Sequence, residues 1–154
     1  MLPAQSWDMI RARQRRATIQ GEITIQGKER RFDEYADFLD GLVRDLNQMA
    51  SDGWAVLVEG KRDAAAVRSL GYIGILVTVA SVGRLGIDAF APAKKVVILT
   101  DLDREGRTLA ARYIKLLAHE GFRTSLAERR RLRIASRGAF RHIENLSRFS
   151  ETEA

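Results

Sequence analysis

The hydrophobic pattern changes character twice along the chain. Up to residue 31 no apolar period is sustained; Ile19, Ile23 and Ile25 give Ala17–Gln26 a weak alternation that permits a short strand or hairpin, and much of 1–31 is expected to be mobile. From Phe32 the spacing becomes helical. Phe32, Tyr35, Phe38, Leu39, Leu42, Val43, Leu46 and Met49 share one face, Asp33 can cap the start, Gly53 follows the end, and the outer face is acidic. From Trp54 the texture is α/β. The runs Ala55–Glu59, Ile73–Ala80 and Lys95–Thr100 are short, β-branched and apolar on both faces, as parallel strands covered by helices should be. Helical stretches alternate with them: Arg62–Leu70 before Gly71, Arg84–Ala91 before Pro92, and Arg104–Glu120 before Gly121. Arg123–Ala127 reads as a fourth strand, and Gly138 separates a basic loop from a final helix beginning near Ala139.

The βαβαβα order predicts an α/β fold, a parallel sheet of about four strands with right-handed crossovers and an extra N-terminal helix. It divides the chain into a basic extension (1–31), an amphipathic helix packing on the core (32–52), the α/β domain (53–127) and a basic loop and helix (128–154).

Composition narrows the chemistry. The chain has 154 residues, 45% of them apolar, which suits one compact domain. No window approaches the roughly 18 apolar residues of a membrane span. The first residues carry no secretory pattern, so a cytoplasmic protein is expected. With no cysteine and only His119 and His142, thiol chemistry and histidine-rich metal sites are excluded, and any metal must be bound mainly by oxygen. The net charge of +6 is concentrated at the ends, +4 over 1–31 and +4 over 121–154, against −5 over 32–52. Arginine outnumbers lysine 21 to 5, which suits bidentate phosphate contact and equally suits a biased composition.

In open α/β sheets, ligands sit beyond the carboxyl ends of strands. The first strand ends in Glu59, followed by Gly60, Lys61, Arg62 and Asp63; the third ends in Thr100, followed by Asp101, Leu102, Asp103, Arg104, Glu105 and Gly106. Alternate spacing points Asp101, Asp103 and Glu105 the same way if the turn stays extended. So many negative charges need cations, and hard oxygen ligands select Mg²⁺ or Mn²⁺. Singly, each position has a plainer role: Asp103 can cap a helix, Glu105 can favour its N-terminus, and the others can be solvated. Lys61, Arg62, Arg104 and Arg107 surround the cluster with positive charge, as where a metal site meets phosphate.

VEGKRD at 58–63 and ILTDLDREG at 98–106 resemble the two signature motifs of the Toprim domain, a Rossmann-like fold shared by type IA topoisomerases, bacterial primases, recombination mediators and small stand-alone nuclease-like proteins. The resemblance covers about residues 54–127. It implies that Glu59 is a general acid/base, and that Asp101, Asp103 and Glu105 hold Mg²⁺, with Glu59 a further ligand. The topoisomerase and primase branches need modules for which this chain has no room or no cysteine. The likeness therefore falls to the small stand-alone proteins related to the nuclease that matures ribosomal 5S RNA. A phosphatase D-x-D-x-T turn fits less well, because Glu105 replaces the threonine and the turn follows the third strand rather than the first.

The resulting expectation is a Mg²⁺- or Mn²⁺-dependent protein that cleaves a phosphodiester in structured RNA or DNA. Glu59 would transfer the proton, and Lys61 or Arg104 would stabilise developing charge. Lys61, Arg62, Arg104, Arg107 and the crowded Arg129, Arg130 and Arg131 would contact nucleic acid, RNA ahead of DNA. The alternative is a non-catalytic adaptor working with a ribonucleoprotein or repair partner. Neither reading involves a membrane. Tyr35, Tyr72 and Tyr113 are expected to pack in the core.

Overall fold

The computed structural model describes the backbone of residues 4–153 and the side chains of 27–150. The chain divides into two units, Met1–Glu34 and Tyr35–Ala154, and the sheet and its helices belong to the second. Helix α1 (Ala4–Ser51) begins far upstream of Asp33. The strand or hairpin expected at 17–26 is therefore helical backbone: Ile19 and Ile23 stand four residues apart, a spacing that serves a helix as well as alternation serves a strand. The mobility expected of 1–31 falls largely on residues whose side chains lie outside the described ones.

The α/β elements follow in the expected order: β1 (Trp54–Val58), α2 (Lys61–Ser69), β2 (Ile75–Thr78), α3 (Val79–Leu85), β3 (Lys95–Ile98), α4 (Arg104–His119), β4 (Arg123–Ser125) and α5 (Ala127–Ser136). All four strands are parallel, in the order β2-β1-β3-β4, with Leu57 opposite Val77 and Ile98. β1 and β3 are thus neighbours although β2 separates them in sequence. The switch in strand order between them is where an α/β sheet opens a crevice.

Side chains alternate between the two faces of each strand. Ala55, Leu57, Val96 and Ile98 join Val82, Phe90, Tyr113, Leu117 and Phe122 in one core cluster. Val56, Val58 and Val97, on the other face, are equally buried, so both faces are covered. The C-terminal part of α1 contributes Leu39, Leu42, Val43 and Leu46, all buried. Asn47 ties it to the loop before β2, donating to Gly71 O (3.1 Å) and accepting from Ile73 N (2.9 Å). Tyr72 and Tyr113 are buried and the Tyr35 hydroxyl donates to Ser136 O, so the tyrosines pack as expected.

Four expectations need correction. The second strand stops at Thr78, because its hydroxyl accepts from Ser81 N (3.2 Å) and caps α3. The helix expected at Arg84–Ala91 is the end of α3 followed by a 3₁₀ turn over Gly86–Phe90, opened by Gly86 at φ +63°. The basic stretch after Ser125 is helix α5 rather than a loop, with Leu132 as its buried anchor. Arg137 (φ 49°) and Gly138 (φ 79°), both left-handed, then reverse the chain. Residues 139–142 stay unwound to reach the β3 turn, where Leu102 N donates to Arg141 O (2.7 Å). The last helix is accordingly 3₁₀ and starts at Ile143, not near Ala139.

Candidate metal centre

Because β1 and β3 are adjacent, the residues just past their ends meet. Asp101 N donates to Glu59 Oε1 (3.1 Å), while the Glu59 carbonyl accepts from Val79 N (3.3 Å). Burial pushes the Glu59 carboxyl above its ordinary range, and the negative charges of Asp101, Asp103 and Asp63 push the same way against the Asp101 N–H. Asp63 is buried in the first turn of α2, accepting from Gly60 N (3.0 Å) and Glu144 N (3.1 Å); burial and then Asp101 raise its pKa as well.

Asp103 takes two roles. Its Oδ1 accepts from Gly106 N (2.7 Å) as the N-cap of α4, so the capping reading holds, while Oδ2 faces His142. Asp101 is similar: Oδ1 accepts from Ile143 N (2.8 Å), and Oδ2 lies 3.3 Å from His142 Nδ1. Asp103 Oδ2 is 3.8 Å from the same nitrogen. Asp101, Asp103 and His142 each offer one ligand atom within 4.8 Å of the others. His142 was missed in the sequence, where no spacing links it to aspartates about 40 positions away.

Glu105 does not share the cluster. The helix begins at Arg104, so the turn is not extended through Glu105, and about 100° of rotation per helical residue swings it away from Asp103. It is exposed in a hollow with Arg104, Thr108, Leu109 and Arg112. Glu59 also lies outside the three-residue group and is bound to the turn by its amide instead. Gly106 is required here, because a Cβ on it would collide with the Asp101 carbonyl; Thr100 Oγ1 draws the same turn in through Gly106 O (2.7 Å).

The cations divide into exposed and committed groups. Lys61, Arg62, Arg104, Arg107 and Arg130 are exposed near the starts of their helices, and Arg107, Leu126, Arg129, Arg130 and Arg133 line a groove. Arg129, expected to track phosphate, is only 8% exposed. Its Nε donates to Thr100 O (3.2 Å) and its Nη2 to Asp101 O (2.6 Å), since α5 packs beside β3 and points this side chain under the turn. Burial lowers its pKa from the usual arginine value, with Arg133 adding to the effect. Arg131 is spent on Asp45 (2.9 Å) and the ring of Phe38.

The Toprim domain family matches residues 54–133. A UPF0292 protein of Methanocaldococcus jannaschii is 33% identical over 119 residues, spanning 75% of this chain and 92% of that protein. One of Archaeoglobus fulgidus is 27% identical over 119 residues, spanning 77% and 94%. Among solved structures, a protein from Aquifex aeolicus shares the fold, with a TM-score of 0.54 at 24% identity over 68% of this chain and 94% of that one. The chain belongs to the Toprim family, and it resembles UPF0292 proteins along most of their length. Toprim domains bind divalent metal and serve nucleic-acid-related functions. The donor set here fits such an ion, two carboxylate oxygens and an imidazole nitrogen at one strand end. Among the described residues, no helix is long and apolar enough to cross a membrane.

Proposed function

We propose that the protein is a Mg²⁺- or Mn²⁺-dependent phosphodiesterase acting on structured nucleic acid, RNA ahead of DNA. The observation that carries this reading is the juxtaposition of Glu59 with the Asp101–Asp103 turn. It sets a carboxyl of raised pKa beside two carboxylates able to hold an ion. A bound divalent ion supplies Lewis-acid polarisation of the phosphodiester. The chain's own groups do the rest. Asp101 and Asp103 would hold the ion, each carboxylate being oriented by a backbone amide bound to its Oδ1. The Asp101 amide occupies Glu59 Oε1, leaving Oε2 to take or give a proton, and desolvation brings that proton nearer neutrality, where acid–base transfer is efficient. Lys61 and Arg104, the exposed first residues of α2 and α4, would neutralise phosphate charge.

The test is cleavage of a panel of structured RNAs and DNAs by the pure protein, with EDTA, Mg²⁺ or Mn²⁺. Metal-dependent cleavage that Glu59→Gln abolishes while binding persists supports a nuclease. Tight binding with every substrate intact turns the reading to the adaptor.

A further inference from the structure

The family match ends at residue 133, yet the chain returns to the β3 turn after it. Both neighbours of His142 are fastened there: Arg141 O accepts from Leu102 N (2.7 Å) and Ile143 N donates to Asp101 Oδ1 (2.8 Å). Phe140 and Ile143, both buried, anchor the segment on either side. The imidazole is half exposed, but its backbone has little freedom to leave.

The two aspartates use their oxygens in the same way. Each aspartate gives Oδ1 to a backbone amide and turns Oδ2 toward His142 Nδ1, at 3.3 Å and 3.8 Å. Ligand atoms around one divalent ion are about 3.0 Å apart in a cis octahedral arrangement and about 3.4 Å apart in a tetrahedral one, given metal–ligand bonds near 2.1 Å. The 3.3 Å separation falls between these values, the 3.8 Å one is about 0.4 Å wider than the tetrahedral spacing, and all three ligand atoms lie within 4.8 Å of one another, so a small inward shift would bring them onto one ion.

We infer that His142 is a third, nitrogen ligand to the ion held at Asp101 and Asp103, supplied from outside the Toprim core, and that it tilts the site toward Mn²⁺ over Mg²⁺. The inference rests on the divalent-ion reading proposed for this turn. Its chemistry is direct: Mg²⁺ is a hard ion served by carboxylate and water, whereas imidazole adds affinity for first-row transition ions.

The experiment is Mn²⁺ binding to the full chain, followed by electron paramagnetic resonance with echo-envelope modulation, which detects a directly coordinated ¹⁴N. The wild type is expected to bind Mn²⁺ with histidine-type ¹⁴N modulation. His142→Gln loses the modulation and about tenfold or more in Mn²⁺ affinity, while Mg²⁺ affinity changes by less than about threefold. His119→Gln, altering the other histidine, retains both. If His142→Gln fails to fold, wild-type and His119→Gln spectra with ¹⁵N-labelled histidine decide the question, since only His142 then remains to couple. Bound Mn²⁺ without nitrogen modulation overturns this inference and leaves the carboxylate site standing. No Mn²⁺ or Mg²⁺ binding by the folded wild type overturns both.

Discussion

The amide of Asp101 reaches across from the end of β3 to Glu59 Oε1 at the end of β1, 3.1 Å away and 42 residues apart in sequence. This bond holds the candidate for proton transfer against the turn proposed to bind the ion. It only partly offsets the desolvation and like-charge repulsion acting on Glu59. Folding therefore disfavours the charged form of Glu59.

Stability without metal should carry that mark. Folding raises the pKa of Glu59 above 4.5 and of Asp63 above 3.8, so the folded state holds these protons more tightly than the unfolded one. Their contribution is full below those ordinary values and is lost as pH rises through the folded ones. In EDTA, Glu59→Gln should melt near the wild type at pH 4 and gain on it as pH climbs to 7, by about 2–4 °C for each kcal/mol of repulsion removed. Thermal melts across pH check this; an advantage that shrinks with pH would show the sign to be wrong.

Arg129 should behave as a prop for the turn. Replacing it with Met leaves the buried Thr100 O and the part-buried Asp101 O without their donors, at an expected cost of about 2–4 kcal/mol. Arg130→Met, at an exposed neighbour, should stay within about 0.5 kcal/mol. Urea unfolding of the two variants makes the comparison, and equal stability would return Arg129 to the phosphate-contact set.

Close backbone packing at Gly106 predicts a sharp contrast between two glycines. Gly106→Ala drives a methyl into the Asp101 carbonyl and should cost about 3 kcal/mol or more, weakening Mn²⁺ binding as the turn shifts. Gly83→Ala places its methyl in open space on α3 and should stabilise by about 0.5–1 kcal/mol. Chemical denaturation and Mn²⁺ titration read both effects.

Nucleic-acid affinity should draw on the exposed cations at the helix starts. Replacing Lys61, Arg104 and Arg107 together with Ala should flatten the dependence of log affinity on log salt by up to about 3 units, one per lost phosphate contact. Arg131→Ala should leave that slope unchanged, because its guanidinium is already engaged with Asp45. Fluorescence anisotropy at 50–200 mM salt distinguishes them. A slope that responds to Arg131 and not to the other three would move the interface to α5.

The strands, the helices after them and the two acidic motifs were legible in the amino-acid order because each depends on near neighbours: β-branched runs, i to i+4 spacing, and glycine or proline at the ends. Those local signals carried Glu59, Asp101 and Asp103 to one sheet edge once a parallel α/β fold was inferred. Three outcomes depended on the folded chain. Glu105 left the cluster because helix α4 starts one residue before it, and a turn's direction is set by where its helix begins. Arg129 changed from a surface charge to a buried support because α5 formed where a loop was expected and packed beside β3. His142 joined the aspartates because the left-handed pair Arg137 and Gly138 turned the chain back to the β3 turn. Local spacing records which residues are near in sequence; the convergence of donors from segments about 40 residues apart is set by strand order and chain reversal, which only the packing of the whole core determines.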